Sequence, residues 1–540
     1  MKKTITLVST ALVAALCSLS VHADKVYYVD PDGNAPEGMT VDAVYNKIGT
    51  AINNVTADEP VTIYLKPNHV FTENNMTTGT NRVDLTIIGE NTTINSNAAQ
   101  RILRTEAARL ALKGITFSGV KNYTSMGGVL YFAGNANSQS ELLIDSCVFE
   151  NNVLTDGADG GAAIATGTNA MNVITITNSV FRNNQTAGYR ESMSGTSIHF
   201  QGKNGNFIVE NSAFHNNAIN SNNGAMAIGI VNGSNVQARI ANVTFYNNTT
   251  KGLPTGSVPN ILIKGTSDVV SVVNSSFYFD LREESDDEGD QTLMKEVYKR
   301  TSAVNINGTG NNTLHFVNNV VVGLRNAVIS PAATGRTIVC QNNYSVVLEP
   351  HAYVPELADS ENGNVLLTGR ESNLGDPFIA DIDALTALMP SAGLVTELST
   401  DNFVPYLAIE KTSPLVNAGV NEYMVADENI VPEFDVLGNA REDGYVDIGV
   451  FEYVNDDPST GIADNDLSEK LTVYVQDGQL VIENHADTVF EVSLVQVDGR
   501  LVAAMPLYQS VTVDKGALSH GVLLVVATDG TTQIIKKVIL

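Results

Sequence analysis

The chain has no tryptophan and only three cysteines in 540 residues. It is also poor in charge: Asp, Glu, Lys and Arg together make 17% of it, with 31 cations against 59 acids. Each shortage excludes something. A formal charge of −28 argues against nucleic-acid backbones and anionic lipid as partners, because both are held by cationic patches. Three cysteines cannot staple a disulfide scaffold. Beyond the N-terminus, no stretch is long and apolar enough to cross a bilayer. Hydrophobic residues still make 43% of the chain, enough for a packed core and too many for a disordered one. Asn, Gly, Ser and Thr take the place that charge has in most proteins.

The chain opens MKK, continues ITLVSTALVAALCSLSV, and reaches His22-Ala23 before Asp24. A basic start, a short apolar run and a small residue at the cut are the pattern of a secretory signal peptide, residues 1–23. Cleavage is expected after Ala23, and loss of Lys2 and Lys3 takes the mature charge to −30. Leu16 stands where a lipobox wants a small residue before Cys17, so no lipid anchor is expected.

Self-similarity then dominates. IDSCVFENN (144–152), TITNSVFRNN (175–184), VENSAFHNN (209–217), IANVTFYNN (240–248) and VVNSSFYFD (272–280) align, with an earlier copy LKGITFSGV (112–120). Phe117, Phe149, Phe181, Phe214, Phe245 and Phe277 are spaced by 32, 32, 33, 31 and 32 residues. Apolar columns lie five and seven residues before each Phe, and a Gly/Ser/Asn column lies three before it. Gly134, Gly167, Gly202, Gly233 and Gly265 close another strand in each unit. The two apolar columns are two apart, which is a strand facing one way. Three short strands per unit, with no helical period between them, point to an all-β fold, a right-handed parallel β-helix in which like residues stack. An antiparallel sandwich would not hold identical residues at a constant period. The column three before Phe (Asn178, Asn211, Asn242 and Asn274) is expected to be buried at a bend, each amide bonding its neighbours above and below.

The pattern continues at Phe316, Asn318 and Val321, after an insertion of about 12 residues that carries the acidic run 282–290. That run lacks the D-x-D-x-D-G order of a calcium loop. VTIYLKPNHVFTE (61–73) and LTIIGENTTINSN (85–97) read as the first coils. Val44, Ile48 and Ile52 stand at helical spacing within 40–55 and predict an amphipathic helix plugging the open end. Cys147 and Cys340 fall several coils apart, at about 4.8 Å per coil, and are expected to be buried free thiols.

VYYVDPDGN (26–34), the plugging helix and VTIYLKP (61–67), then SPLVNAG (413–419), DVLGNAR (435–441) and DIGVFEY (447–453), together resemble extracellular bacterial β-helix proteins of the pectate-lyase-like fold. The closing motifs resemble those of choice-of-anchor Q proteins. The resemblance implies architecture over roughly 24–453 and says little of activity. Asp435, Arg441, Asp447 and Glu452 read as a structural ion pair in a covered cap. After the linker 454–462, residues 463–540 alternate apolar and polar residues around QDGQ, VDGR and TDGT turns, which suggests a small β-sandwich. GQLVI, VDGRLV, GVLLVV and KKVIL resemble the C-terminal sorting domain of type IX secretion in Bacteroidota, with Leu523 where an aromatic is usual. That resemblance implies an export machinery as partner. The expected divisions are 24–60 for the first strand and helix, 61–453 for the β-helix with its closing segment, and 463–540 for the sandwich.

The residue after each Phe points outward if Phe points in. Glu150, Arg182, His215, Tyr246 and Tyr278 then form one row on successive coils, a candidate ligand-binding site for sugar rings. No catalytic residue, metal site or cofactor is identified. The expected function is a secreted or cell-surface, non-enzymatic adhesin or glycan-binding scaffold, whose partner is an extracellular glycan or a host or cell-surface ligand. The alternative is a polysaccharide lyase or glycoside hydrolase, which needs convergent titratable groups on one face.

Overall fold

The computed structural model describes residues 25–539, apart from 58, 156–158, 169, 191–194, 222–223, 251–255, 281–300, 309, 331–334, 351–353, 371–378, 442–445, 455–470, 477–478, 486–488, 497–500, 515–521 and 529–532. The signal-peptide segment, the acidic run 282–290 and most of the linker 454–462 lie outside the described residues. Contacts gather Ala23–Tyr453 into one compact unit, and Val454–Leu540 belongs to another.

Ala23–Tyr453 is a parallel β-helix. Its walls are a 19-stranded, a nine-stranded and a four-stranded sheet. Each coil adds one strand to the next coil in parallel register, and that register is the one the sequence columns predict. Leu110, Leu142, Ile174, Phe207, Ala238 and Val270 pair in turn, as do Leu112, Ile144, Ile176, Val209, Ile240 and Val272. Phe117, Phe149, Phe181, Phe214, Phe245 and Phe277 form one interior stack, with ring centroids 4.6–5.4 Å apart and planes within 16°. Val321 continues the column above Phe277. Burying each ring contributes roughly 1.5–3 kcal/mol, and each stacked pair adds about 0.5–1.5 kcal/mol. Cys147 and Cys340 are buried free thiols.

The corners depart from expectation in one respect. Ser146, Asn178, Asn211, Asn242, Asn274, Asn318 and Asn342 all have φ between 45° and 54°. They are the left-handed residues that turn the chain between two strands of the long sheet, a conformation Asn adopts more readily than other non-glycine residues. That geometry turns the side chain outward. Within this column Asn242 Nδ2 donates to Asn211 Oδ1 at 3.0 Å and Asn318 Nδ2 to Asn274 Oδ1 at 3.2 Å, as expected, while the longer interior ladders belong to other residues. Asn152, Asn184, Asn217 and Asn248 stand one above another, each Nδ2 donating to the next Oδ1 at 3.0–3.2 Å, and Asn248 ends the ladder on Asn260 of the nine-stranded sheet at 3.0 Å. Asn319, Asn343 and Asn364 repeat this at the earlier corner. The first ladder's Nδ2 groups also donate to Phe117, Phe149, Phe181 and Phe214 carbonyls. Buried amides are thereby satisfied by one another and by backbone, which keeps their burial from costing stability.

The bottom of the coil is closed by a helix, α1 (Ile48–Asn53), that buries Ile48, Ala51 and Ile52. It is shorter than the 40–55 pattern predicts. Val44 lies in the strand Ala43–Tyr45, which pairs in parallel with Lys25–Val29. The free edge of the first strand competes with the helix for this segment and takes Ala43–Tyr45, in which Val44 and Tyr45 favour a strand. Glu73 caps α1 from the first coil, accepting Ile48 N at 2.7 Å and Gly49 N at 2.9 Å. A second helix, α2 (Ile379–Leu388), follows the last coil strand, Val365–Thr368.

Val454–Leu540 contains two antiparallel sheets. One has Leu471–Gln476, Gln479–Asn484 and Ser510–Asp514; the other has Phe490–Gln496, Leu501–Leu507, Val522–Thr528 and Gln533–Ile539. Leu480, Ile482, Phe490, Val492, Leu494 and Val525 share its core, which is the small sandwich that the alternation predicts.

One corner residue breaks the polar pattern. Asp268 stands one coil before Asn312 at the equivalent position. Asn312 accepts Asp268 N at 2.9 Å and donates Nδ2 to Gly265 O at 3.0 Å. Asp268 accepts Val236 N at 3.0 Å, but as a carboxylate it has no proton for the second role, and its buried Oδ2 has no partner. Burial pushes its carboxyl up to about 6. A raised carboxyl contributes stability that is full below the unfolded value of 3.8 and is lost as pH rises through about 6. Asp268→Asn is therefore expected to stabilise the fold at pH 7–8 by on the order of 2 kcal/mol, with the gain vanishing toward pH 4. Urea unfolding across pH measures this, and a pH-independent difference would contradict it.

Candidate ligand-binding face

Strand alternation decides where the expected row lies. With Phe149, Phe181 and Phe214 inside, the residues on either side face out of the long sheet. Glu150 pairs in register with Arg182, Arg182 with His215, His215 with Tyr246 and Tyr246 with Tyr278. The structure thus brings all five together in one row on consecutive coils.

The row is not uniform. Arg182 donates Nε to Glu150 Oε2 at 2.7 Å, with Nη2 2.6 Å from the same oxygen. Both side chains are partly exposed. His215 is buried, its Nε2 has no hydrogen-bond partner, and Asn216 Nδ2 lies 3.4 Å from Nδ1. Burial, aided by the Arg182 charge, pushes its imidazole down to about 4, so it is neutral near pH 7. The Tyr246 and Tyr278 rings stack at 5.5 Å and 11°. The Tyr246 hydroxyl donates to Thr396 O at 3.2 Å, and Tyr278 is 3% exposed. Glu150 and Arg182 are thus partly open, Tyr246 is half-buried with its hydroxyl held by the closing segment, and Tyr278 is buried.

The described residues of 394–441 and 446–453 run along the outer face of the long sheet. Val404, Tyr406, Val436 and Val450 pack on Val180 and Ala213. Ile430 and Val431 pack on Ala241, Val273 and Val317. The left-handed asparagines hold this segment by its backbone. Asn242 Nδ2 donates to Phe434 O at 2.7 Å, Asn274 Nδ2 to Asp447 O at 3.2 Å, Asn318 Nδ2 to Val420 O at 2.7 Å and Asn342 Nδ2 to Ala418 O at 2.9 Å. Asn242, Asn274 and Asn318 are buried, as expected for this column, but by the closing segment. The cover itself escaped sequence reasoning. Its signal was the run of outward yet apolar residues Val148, Val180 and Ala213, which a solvent-facing strand would not carry.

The four closing-segment charges form a pin. Arg441 is buried and pairs with Glu452 Oε1, and it donates to Asp447 O at 3.1 Å, Gly449 O at 2.9 Å and Asn242 Oδ1 at 3.1 Å. Asp435 accepts Leu437 N and Asn439 N at 2.8 Å and Glu452 N at 2.8 Å. Asp447 accepts Asn417 N at 2.7 Å and Tyr453 N at 2.5 Å. Burial pushes Glu452 up to about 7 against the pull of the Arg441 charge. Every carboxylate is spent on backbone amides of its own segment, which is a structural use.

Among the described residues, no group of three or more His, Cys, Asp or Glu is placed to hold a metal ion, and no helix is long and apolar enough to cross a membrane. No family model matches the chain, and no curated protein matches it significantly. The fold and the face define a parallel β-helix protein whose long sheet is partly covered by its own closing segment.

Arg441→Ala would leave Glu452, Asp435 and Asp447 buried without their cation. The expected cost is about 3–5 kcal/mol, read from the urea midpoint. A loss below about 1 kcal/mol, the size of a surface pair, would show that the pin does not hold the segment down.

Proposed function

We propose that the protein is an exported β-helix scaffold that binds an extracellular glycan without turning it over, with the open end of the Glu150–Tyr278 row as the binding surface. The observation that carries this reading is the Glu150–Arg182 pair. Glu150 is the row's one acid, and the neighbouring guanidinium holds it in a fixed geometry through two contacts to one oxygen. His215 beside them is neutral. A carboxylate, a guanidinium and Asn216 on adjacent coils offer fixed acceptors and donors to sugar hydroxyls, at the repeat of about 4.8 Å set by the sheet.

A glycan array with the mature protein, followed by turnover assays on the hits, tests this. Arg182→Ala and Glu150→Gln are each expected to weaken the hits by roughly tenfold, about 1.4 kcal/mol. Release of unsaturated or reducing ends from a bound glycan would replace the binding reading with a lyase or hydrolase.

The N-terminal pattern and the sandwich-forming tail, with its sorting-domain resemblance, support export to the cell surface or medium. Deletion of 460–540 in the native host is expected to leave the β-helix folded in the periplasm. Normal surface amounts of the truncated chain would refute a sorting role for the tail.

A further inference from the structure

Five of the six charged residues between 91 and 140 are cations: Arg101, Arg104, Arg109, Lys113 and Lys121, against Glu106 alone. In a chain with nearly twice as many acids as bases, this stretch is an island of opposite sign. The fold sorts its members. Arg109 pairs with Asp84 and Glu141, and Lys113 with Asp145, on the long sheet. Lys121 donates to Asn97 Oδ1 at 2.6 Å. Arg101 and Arg104 are left together at the nine-stranded sheet, with two tyrosines.

Arg104, in the strand Leu103–Thr105, is in register with Tyr131 of Leu130–Phe132, its guanidinium 5.9 Å from the ring centroid. Arg101 lies between two rings, 4.9 Å from the Tyr131 centroid and 5.2 Å from that of Tyr123. Its fork is fixed by Nε donating to Gly127 O at 2.8 Å and Nη2 to Met126 O at 2.7 Å. Arg104 commits only Nη2, to Glu106 at 3.2 Å, and its side chain is 48% exposed. Nη1 of Arg101, and Nε and Nη1 of Arg104, have no partner among the described residues. The next residue in the row after Tyr131 is Ala165, which is buried, so the Tyr131 ring is open only on its partly exposed outer edge. Arg101 has a structural use in tethering the turn at 126–127. Arg104 and the exposed part of Tyr131 have no comparable one.

We propose that Arg101, Arg104, Tyr123 and Tyr131 form a binding site for an anionic sugar, one whose ring carries a carboxylate or a sulfate. The unspent guanidinium donors take the anionic oxygens in planar, charge-assisted hydrogen bonds. The Tyr131 ring takes the apolar face of the sugar, and its contact with both cations holds them in place before the ligand arrives. The proposal rests on the glycan-binding reading for its ligand class and is separate in place, on a different sheet from Glu150 and Arg182.

The test is calorimetric titration of the mature protein with three probes: a galacturonate pentamer, a sulfated pentasaccharide and the neutral cellopentaose. One or both anionic probes are expected to bind, more weakly as NaCl rises from about 50 to 500 mM. Arg104→Ala and Tyr131→Ala are each expected to weaken that binding by about tenfold. Arg182→Ala should leave it unchanged, and thermal unfolding should show both variants folded. The site is overturned if neither anionic probe binds, if cellopentaose binds equally well, or if binding survives both substitutions. If binding of the anionic probes themselves is lost in Arg182→Ala and kept in Arg104→Ala, this site fails and the first row stands.

Discussion

Everything in the β-helix depends on like residues meeting at the interstrand spacing. Each coil offers its backbone to the next in parallel register, so whatever occupies a position on one coil sits directly over the same position on its neighbours. Only residues that tolerate their own kind at that distance persist. Flat Phe rings do, because offset stacking is favourable. Asn does, because its amide both donates and accepts along the column. A carboxylate does not, and Asp268 shows the consequence: it keeps the accepting half of the pattern, loses the donating half and is driven toward protonation.

The same constraint makes the outer face a set of rows with graded chemistry. Charged rows pair along the stack, as Asp84, Arg109 and Glu141 do, or Glu150 with Arg182. Where the rows turn apolar the chain covers them itself. The closing segment lies over Val180, Ala213, Val273 and Val317, held by the left-handed asparagines and pinned by Arg441. A corner residue chosen for its backbone angle thereby acquires a second use, as a clamp for another segment. The pair Glu150 and Arg182, beyond that cover, stays partly open and charged.

Much of the fold and part of the site were legible. The Phe spacing and the paired apolar columns determined the register, and register determined that Glu150, Arg182, His215, Tyr246 and Tyr278 share a row. Arg441 and its carboxylates were legible as a structural group. The length of α1 was not, because Ala43–Tyr45 is drawn to a strand edge that exists only once Lys25–Val29 is in place. The expected Asn column bonds along itself only at Asn211–Asn242 and Asn274–Asn318; the longer interior ladder was not legible, since a one-dimensional column does not say which of two neighbouring residues has the left-handed backbone, and that angle decides which side chain turns in.

The sequence by itself therefore determined the periodic part of this protein: the stack, the parallel register, the buried free thiols and the change to a sandwich after the closing motifs. These follow from local pattern repeated many times, which a single chain displays openly. Tertiary structure alone decided what each outward residue is for. Tyr278 and Tyr246 are pattern-equivalent to Glu150 and Arg182, yet Tyr278 is buried and the Tyr246 hydroxyl is taken by Thr396, more than a hundred residues later, while Glu150 and Arg182 stay partly exposed and bond each other. Likewise Arg101 and Arg104 become distinct from Arg109 and Lys113 only when the coil sends them to different walls. Exposure and pairing depend on what distant chain lies alongside, and that is a property of the packed molecule.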